Sequence, residues 1–157
     1  MSPIILLPGP EKSAWVIWDG YTILNKGLQS NAEFLGVVTS SDQCYHLVCE
    51  MIACYGMAVG AEVFETCVWI GRFWQAWLGP FHRVKRLEVK MHLCHDSRAK
   101  DPHIRQALID RLGAPGTARN PGPTHGVKDD IWAALAVAVA FHDKLTEGAP
   151  KPWQWLN

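Results

Sequence analysis

Hydrophobic and polar positions in the first quarter of the chain form short apolar runs separated by turn residues. An apolar run over residues 4–7 ends at Pro8-Gly9-Pro10, and a second run over 14–18 ends at the hairpin signal Asp19-Gly20. Residues 31–39 fit either a short helix or a loop. The pattern predicts three antiparallel strands, over residues 3–8, 13–19 and 21–29.

The middle of the chain predicts a buried strand followed by a long helix. After His46, the segment over residues 46–53 is apolar apart from one central carboxylate, Glu50. Residues 60–78 carry an apolar stripe at helical spacing that ends at Gly79-Pro80, and residues 83–88 predict a further strand. The stripe consists of Val63, Cys67, Ile70, Trp74 and Trp77.

The last third predicts two helices joined by a loop. Asp101-Pro102 opens a helix over 101–112, and three Gly with three Pro make 114–126 a loop. A final helix over 127–145 has an interior of small residues, which let a helix lie close against a sheet. Strands followed by interleaved helices favour an α/β fold with a mixed sheet. We expect one domain over 1–146 and a C-terminal tail over 147–157.

Composition limits the class of protein and the kind of nucleic-acid site. The 157 residues suit one domain, and the 15 basic side chains balance 15 acidic ones, so any DNA site must be a local patch. The five cysteines are odd in number and lack zinc-site spacing, which predicts reduced thiols. No segment matches a signal peptide or a membrane span, so we expect a cytoplasmic protein without a membrane partner.

Three carboxylates are candidates for metal-assisted chemistry. Mg²⁺ prefers hard oxygen ligands, and a carboxylate inside an apolar element is costly unless it has an ion or a partner. Glu50 meets this condition, although a half-exposed strand would leave it facing water. Asp129 and Asp130 open the last predicted helix, where acids also stabilise the helix dipole without any further role.

These segments together resemble RuvC-like Holliday junction resolvases. The first strand ends in Pro8-Gly9, as the family's Asp-Pro-Gly does, and the strand containing Glu50 precedes a helix with Ile70-Gly71-Arg72. Residues 128–138, Lys-Asp-Asp followed by a small apolar run, match the start of the family's last helix. The resemblance covers about residues 3–145 and implies a ribonuclease H-like fold: a mixed five-stranded sheet with helices on both faces.

The resemblance also implies a set of site residues. Glu50 and Asp130 match two of the family's four acids, whereas Leu7 and Ala133 stand at the other two positions. Asp129, about 40° from Ala133 around a helix, would supply one missing carboxylate. The implied cofactor is Mg²⁺, with Mn²⁺ as an alternative. In the preceding loop, His125 is either a proton shuttle for the leaving group or a surface histidine without a role.

A local excess of basic residues falls where the family has its DNA-facing helix. It predicts phosphate contacts, although a solvated basic face has the same pattern. The implied function is structure-selective, metal-dependent cleavage of four-way DNA junctions in recombination and repair. The two-fold symmetry of the junction favours a homodimer. The alternatives are a junction-binding protein that does not cut, or another ribonuclease H-like nuclease. The basic residues are Arg83, Lys85, Arg86, Lys90, Arg98, Lys100, Arg105 and Lys128.

Overall fold

The computed structural model describes residues 2–40 and 45–147, which form five strands and five helices. The strands are β1 (Ile4–Pro8), β2 (Lys12–Trp18), β3 (Ile23–Ser30), β4 (Leu47–Met51) and β5 (Phe81–Lys85). The helices are α1 (Asn31–Ser40), α2 (Ala61–Ala76), α3 (Arg86–Cys94), α4 (Asp101–Leu112) and α5 (Ile131–Thr146). The segment over 31–39, open between helix and loop in the sequence, is therefore helical.

The strands form one mixed sheet in the order β3-β2-β1-β4-β5. Strand β2 pairs antiparallel with both β1 and β3, while β4 pairs parallel with both β1 and β5. Strand β1 is central, and both Ile5 and Leu6 are fully buried on its opposite faces. The predicted mixed five-stranded α/β architecture is confirmed.

Helices cover both faces of the sheet and define two cores. Helices α3, α4 and α5 pack on one face, where Ile5, Leu7 and Val48 are buried. Helices α1 and α2 cover the other face, where Leu6 and Cys49 are buried. Because side chains alternate along a strand, Glu50 shares the α5 face with Leu7 and Val48.

Helix α5 lies directly on the centre of the sheet because its interior is built of small residues. Ala134, Ala136, Ala138 and Ala140 are all fully or almost fully buried. Short side chains let the helix approach β1 and β2 closely, and the intervening Leu135 fills the core between them. This close packing places the first turn of α5 beside the carboxyl ends of β1 and β4.

Two predicted boundaries are wrong. The strand expected over 83–88 ends at Lys85, and residues 86–94 form α3. The helix begins there because the Glu88 side chain accepts a hydrogen bond from the Lys85 backbone N–H (3.3 Å). The last helix begins at Ile131 rather than at residue 127, since Asp129 adopts a left-handed backbone conformation with φ 47°.

The structure also bears on the predicted reduced thiols, the predicted lack of a membrane span and the predicted C-terminal tail. The four cysteines within the described residues are free, as expected for reduced thiols. None of the helices in the described ranges has the length and apolarity needed to cross a bilayer. The predicted tail lies, apart from Glu147, outside the described residues.

Candidate functional site

Glu50 lies near the carboxyl end of β4 and is held by an arginine from the next helix. Its side chain is only 17% exposed, and its Oε1 is 3.6 Å from Nη1 of Arg86. The other terminal nitrogen of Arg86 donates a hydrogen bond to Asp101, at the start of α4. One guanidinium therefore joins carboxylates from β4 and α4. Arg86 is in position to do so because it is the first residue of α3, directly after β5.

The electrostatic environment of Glu50 favours its neutral form. Burial raises the pKa of the Glu50 carboxyl to about 7, and the negative charges of Asp101 and Asp130 also raise it. The adjacent Arg86 guanidinium acts in the opposite direction. Three carboxylates from separate elements thus interact across this site, and the charge of Glu50 changes near neutral pH.

A small cavity of about 80 Å³ collects the residues at the start of α5. Asp130 is the N-cap residue of α5, and its backbone carbonyl accepts the Ala134 N–H (3.0 Å). Asp129 precedes the helix, so the expected 40° offset on a helix does not apply to it. The left-handed turn nevertheless brings Asp129 into the cavity with Asp130 and Ala133. The cavity is lined by Arg86, Asp101, Ile104, Arg105, Asp129, Asp130, Trp132 and Ala133.

Position 7 contributes an apolar side chain to the same face of the sheet. Leu6 pairs with Cys49 in the parallel β1–β4 ladder, so the next residues, Leu7 and Glu50, lie opposite each other. Neighbouring strands are about 4.8 Å apart, close enough for two carboxylates at these positions to share an ion. Leu7 is buried against α5 instead and offers no ligand.

The turn after β1 brings a further acid near Asp130. A groove of about 650 Å³ runs between this turn and the start of α2, and Asp130 lines it as well as the smaller cavity. Glu11 lies in this groove together with Glu62 and Glu65 of α2. Asp130 therefore has an acid in each of two directions. Glu11 lies in the same groove, and Glu50 of β4 interacts with it electrostatically.

The donor set has the chemistry that a divalent metal ion prefers, but it is incomplete. Glu50, Asp129 and Asp130 offer carboxylate oxygens, and a buried carboxyl with a raised pKa is stabilised by a cation. Within residues 2–40 and 45–147, no three acidic, histidine or cysteine side chains converge closely enough to hold an ion. Glu50 is paired with Arg86 instead, and position 7 of the first strand supplies no ligand.

His125 lies in the loop between α4 and α5. Its ring Nδ1 is 3.1 Å from the backbone oxygen of Pro115, and the side chain is exposed. The loop is closed by pairing between Gly116 and Pro121 and by the buried Thr124 hydroxyl. His125 therefore has a defined place in the loop, outside the cavity that contains Asp129.

Part of the predicted basic group lies at the site. Lys90 and Arg86 line a cavity of about 460 Å³ together with Glu50. Arg105 lines the smaller cavity, where its guanidinium lies 4.9 Å from the centre of the Trp132 ring. The remaining residues of the α3–α5 side, Arg98, Lys100 and Lys128, are exposed. The larger cavity is lined by Glu50, Met51, Ile52, Ala53, Tyr55, Arg86, Leu87, Lys90 and Ser97.

Arg83 is separated from this group by the sheet. Its guanidinium lies 4.4 Å from the ring centre of Trp74 in α2, and that ring stacks on Phe81. Alternation along β5 places Lys85 on the same side as Arg83. The predicted basic group is therefore divided between the two faces of the molecule.

Sequence reasoning did not find Asp101 as a site residue. Asp101-Pro102 is an ordinary helix start, and only the fold shows that the Asp101 carboxylate meets Arg86 and interacts with Glu50. A signal was nonetheless present, because Asp101 interrupts the basic stretch.

Comparison with known proteins identifies the fold. No protein-family model matches the chain, and no curated protein sequence matches it either. A structure of Thermus thermophilus RuvC is similar to it with a TM-score of 0.65 and 16% identity, over 94% of this chain and 97% of that one. The structure of T. thermophilus RuvC in complex with Holliday junction substrate gives a TM-score of 0.64 and 15% identity over the same shares. The chain therefore has the ribonuclease H-like fold of RuvC.

Proposed function

We propose that this protein is a structure-selective DNA endonuclease of the RuvC kind, acting on four-way junctions. One observation supports this function most directly: a buried Glu50 interacts with Asp130 at the sheet edge, on a fold similar to RuvC. A RuvC of the same fold is known in complex with Holliday junction substrate. The two-fold symmetry of such a junction favours a homodimer, which we propose acts in the cytoplasm.

Cleavage would require a divalent ion, Mg²⁺ or Mn²⁺, held by Glu50, Asp130 and Asp129. When bound, such an ion neutralises charge on a phosphate and activates a water molecule. The side chains of Arg86 and Lys90 would bind the phosphate backbone beside Glu50, since both line its cavity. We propose His125 as the proton donor to the leaving oxygen, although its ring lies outside the cavity that contains Asp129.

The test is nicking of a labelled synthetic four-way junction in the presence of Mg²⁺ or Mn²⁺. We expect Glu50→Gln and Asp130→Asn each to reduce nicking at least 100-fold while junction binding changes little, because both replacements keep side-chain volume. Glu33→Gln, at an exposed carboxylate of α1, is the matched control and should cut at the wild-type rate. Wild-type rates in both site variants would show that the site lies elsewhere.

A second candidate function is junction binding without cleavage. It is favoured by the leucine at position 7 and by the Arg86 guanidinium, which lies 3.6 Å from Glu50 Oε1 where a metal ion would otherwise bind. Tight binding of the junction with no nicking in either metal would support this function over the first. Comparable cutting of an RNA–DNA hybrid would instead indicate a ribonuclease H-like enzyme with a different substrate.

A further inference from the structure

Arg86 separates the acids that the proposed function brings together around one ion. It lines the cavity of about 460 Å³ that contains Glu50 and also the cavity of about 80 Å³ that contains Asp129 and Asp130. Among the described residues, it is the one that lines both of these cavities. Glu50 and the two aspartates therefore open into different spaces, and Arg86 is part of the wall between them.

The guanidinium of Arg86 supplies positive charge to both sides of this wall. Nη1 lies 3.6 Å from Oε1 of Glu50, and Nη2 donates a hydrogen bond to Oδ1 of Asp101. Asp101 lines the same small cavity as Asp129 and Asp130. Because carboxylates shielded from water need either a charged partner or a metal ion, Arg86 takes the place that an ion would fill.

A divalent ion and the guanidinium compete for Glu50. Mg²⁺ lies about 2.0–2.1 Å from a carboxylate oxygen that it binds, so an ion on Oε1 would be within about 6 Å of Nη1. Like charges at this separation repel strongly where water is partly excluded, and the Glu50 side chain is only 17% exposed. Within residues 2–40 and 45–147, no three acidic, histidine or cysteine side chains converge on one point, which agrees with an ion site that is not yet assembled.

The same guanidinium is accessible to an incoming phosphate. The side chain of Arg86 is 39% exposed and lies beside Lys90 on the larger cavity. Asp101 is exposed to water, so its ion pair with Arg86 is easily exchanged. A phosphodiester offers two oxygens in the geometry that arginine binds best. Arg86 can therefore replace its carboxylate partners by a phosphate and remain paired.

We propose that Arg86 is a gate on the metal site: in the DNA-free protein it excludes a divalent ion from Glu50, and a DNA phosphate that binds Arg86 frees Glu50 to hold the ion. The inference rests on the proposed function and concerns the regulation of the same site, with Arg86 as a positioning residue. Junction and ion then strengthen each other's binding by the same factor, since coupling between two sites is reciprocal.

The first test measures Mn²⁺ binding to the DNA-free protein, from the electron paramagnetic resonance signal of unbound Mn²⁺. Arg86→Gln is expected to bind Mn²⁺ about tenfold more tightly than the wild type, because the competing charge is gone. Arg86→Met keeps an unbranched apolar stem and should show the same gain if Arg86→Gln fails to fold. The gain should disappear when Glu50→Gln is added, which locates the ion at Glu50.

Lys90→Gln is the matched control, because Lys90 lines the same cavity as Glu50 and carries the same charge. It should raise Mn²⁺ affinity no more than about twofold, since charges that do not contact the ion are screened by salt. Equal gains from Lys90→Gln and Arg86→Gln would indicate a general effect of charge and overturn the gate. Wild-type affinity in the folded Arg86 variants would also overturn it. Circular dichroism shows which variants are folded.

The second test measures the coupling between junction and ion. Fluorescence anisotropy gives the junction affinity of the wild type and Arg86→Gln, each with and without Ca²⁺, which takes the same oxygen ligands as Mg²⁺. We expect Ca²⁺ to strengthen wild-type binding about tenfold more than binding by the variant, whose site is open before DNA arrives. The response of the DNA itself is common to both proteins and cancels in the ratio. Equal responses would contradict the gate.

Failure of this inference and failure of the proposed function give different results. If Arg86→Gln gains Mn²⁺ affinity but junctions are neither bound nor nicked, the exclusion of the ion by Arg86 stands, while its release by DNA and the proposed function are wrong. If junctions are nicked while wild type and Arg86→Gln bind Mn²⁺ equally, the function stands and the gate is wrong.

Discussion

Leu7 is the residue whose replacement most directly tests the chemistry of the site. It follows Leu6, which pairs with Cys49 at the end of the β1–β4 ladder, so Leu7 and Glu50 are the next residues on the two strands and share a face of the sheet. We expect Leu7→Asp to raise junction nicking at least tenfold in Mg²⁺, because it adds a carboxylate where two strands could share an ion. Nicking rates of the variant and the wild type at equal metal concentration measure this effect.

The same replacement has a cost in the metal-free protein. Burying a carboxylate in place of a leucine removes apolar contacts and adds an unpaired charge, which we expect to lower the free energy of unfolding by about 3 kcal/mol. Mg²⁺ should recover part of that loss in a thermal melt. Leu7→Asn is the control, since it has similar polarity without the charge. Equal nicking by both variants and the wild type would show that position 7 does not contribute to metal binding.

Glu50 makes stability and activity depend on pH in opposite directions. Its folded-state pKa of about 7 exceeds the ordinary value of 4.5, so the folded protein binds the proton more tightly than the unfolded chain does. The resulting stabilisation is fully present below pH 4.5 and is lost as pH rises through 7, by about 3 kcal/mol at most. Metal binding and cleavage should instead increase over the same range, because they require the carboxylate.

Thermal melts between pH 4.5 and 8 test this dependence without any substrate. The wild type should lose stability across the range relative to Glu50→Gln, whose amide does not titrate. Parallel curves for the two proteins would mean that Glu50 is ionised throughout. The nicking rate of the wild type should have its midpoint near pH 7, provided that Glu50 limits metal binding.

At the residue scale, the sequence predicted Glu50 because a carboxylate inside an apolar strand is unusual. It also identified Asp129 and Asp130 from their place before the small-residue run. It could not identify the role of Arg86, since its ion pairs with Glu50 and Asp101 join residues far apart in the chain. Long-range pairing of this kind depends on how elements pack, and local patterns do not contain that information.

At the scale of elements, the boundary between β5 and α3 shows why the site was only partly predictable. Val84 and Val89 are both buried, and an apolar residue followed by polar ones fits the end of a strand as well as the start of a helix. Tertiary packing decides between them: Val89 fills the core under α3. Because the helix begins at Arg86, the guanidinium turns toward Glu50 instead of continuing along the sheet edge.

Helix α5 was predicted in type but not in its first residue. Its alanine-rich interior made the helix evident. The four residues before Ile131, however, are not helical, and Asp129 among them has a left-handed backbone. Aspartate is among the few residues other than glycine that adopt this conformation readily. Because aspartate is also common in the first turn of a helix, Asp129 does not by itself mark this turn in the sequence. The turn matters because it sets Asp129 beside Asp130 in the cavity.

One aspartate connects the three helices on the site's side of the sheet. Asp143 of α5 accepts two hydrogen bonds from the Arg111 guanidinium of α4, at 2.5 and 2.6 Å, and its Oδ2 lies 2.7 Å from Nε2 of His92 in α3. Hydrogen bonds from Arg111 and His92 hold the pKa of Asp143 below its ordinary value, against the effect of burial. This contact fixes the layer that presents Arg86, Lys90 and Arg105.

At the scale of the whole molecule, a net charge of zero means that DNA affinity depends on where the charges lie. The sheet separates Lys90 and Arg86, beside Glu50, from Arg83, whose guanidinium lies over Trp74 of α2. A duplex arm bound along the α3–α5 side would contact the first group only.

This arrangement predicts different effects for two basic residues that are close in sequence. Lys90→Gln should weaken junction binding and reduce the slope of log affinity against log salt by about one, because one phosphate contact is lost. Arg83→Gln should change neither quantity, since Arg83 lies on the opposite face. Fluorescence anisotropy with a labelled junction, over roughly 50–200 mM salt, measures both quantities. An equal loss of slope in the two variants would mean that DNA also crosses the β5 edge of the sheet, and that both halves of the predicted basic group bind phosphate.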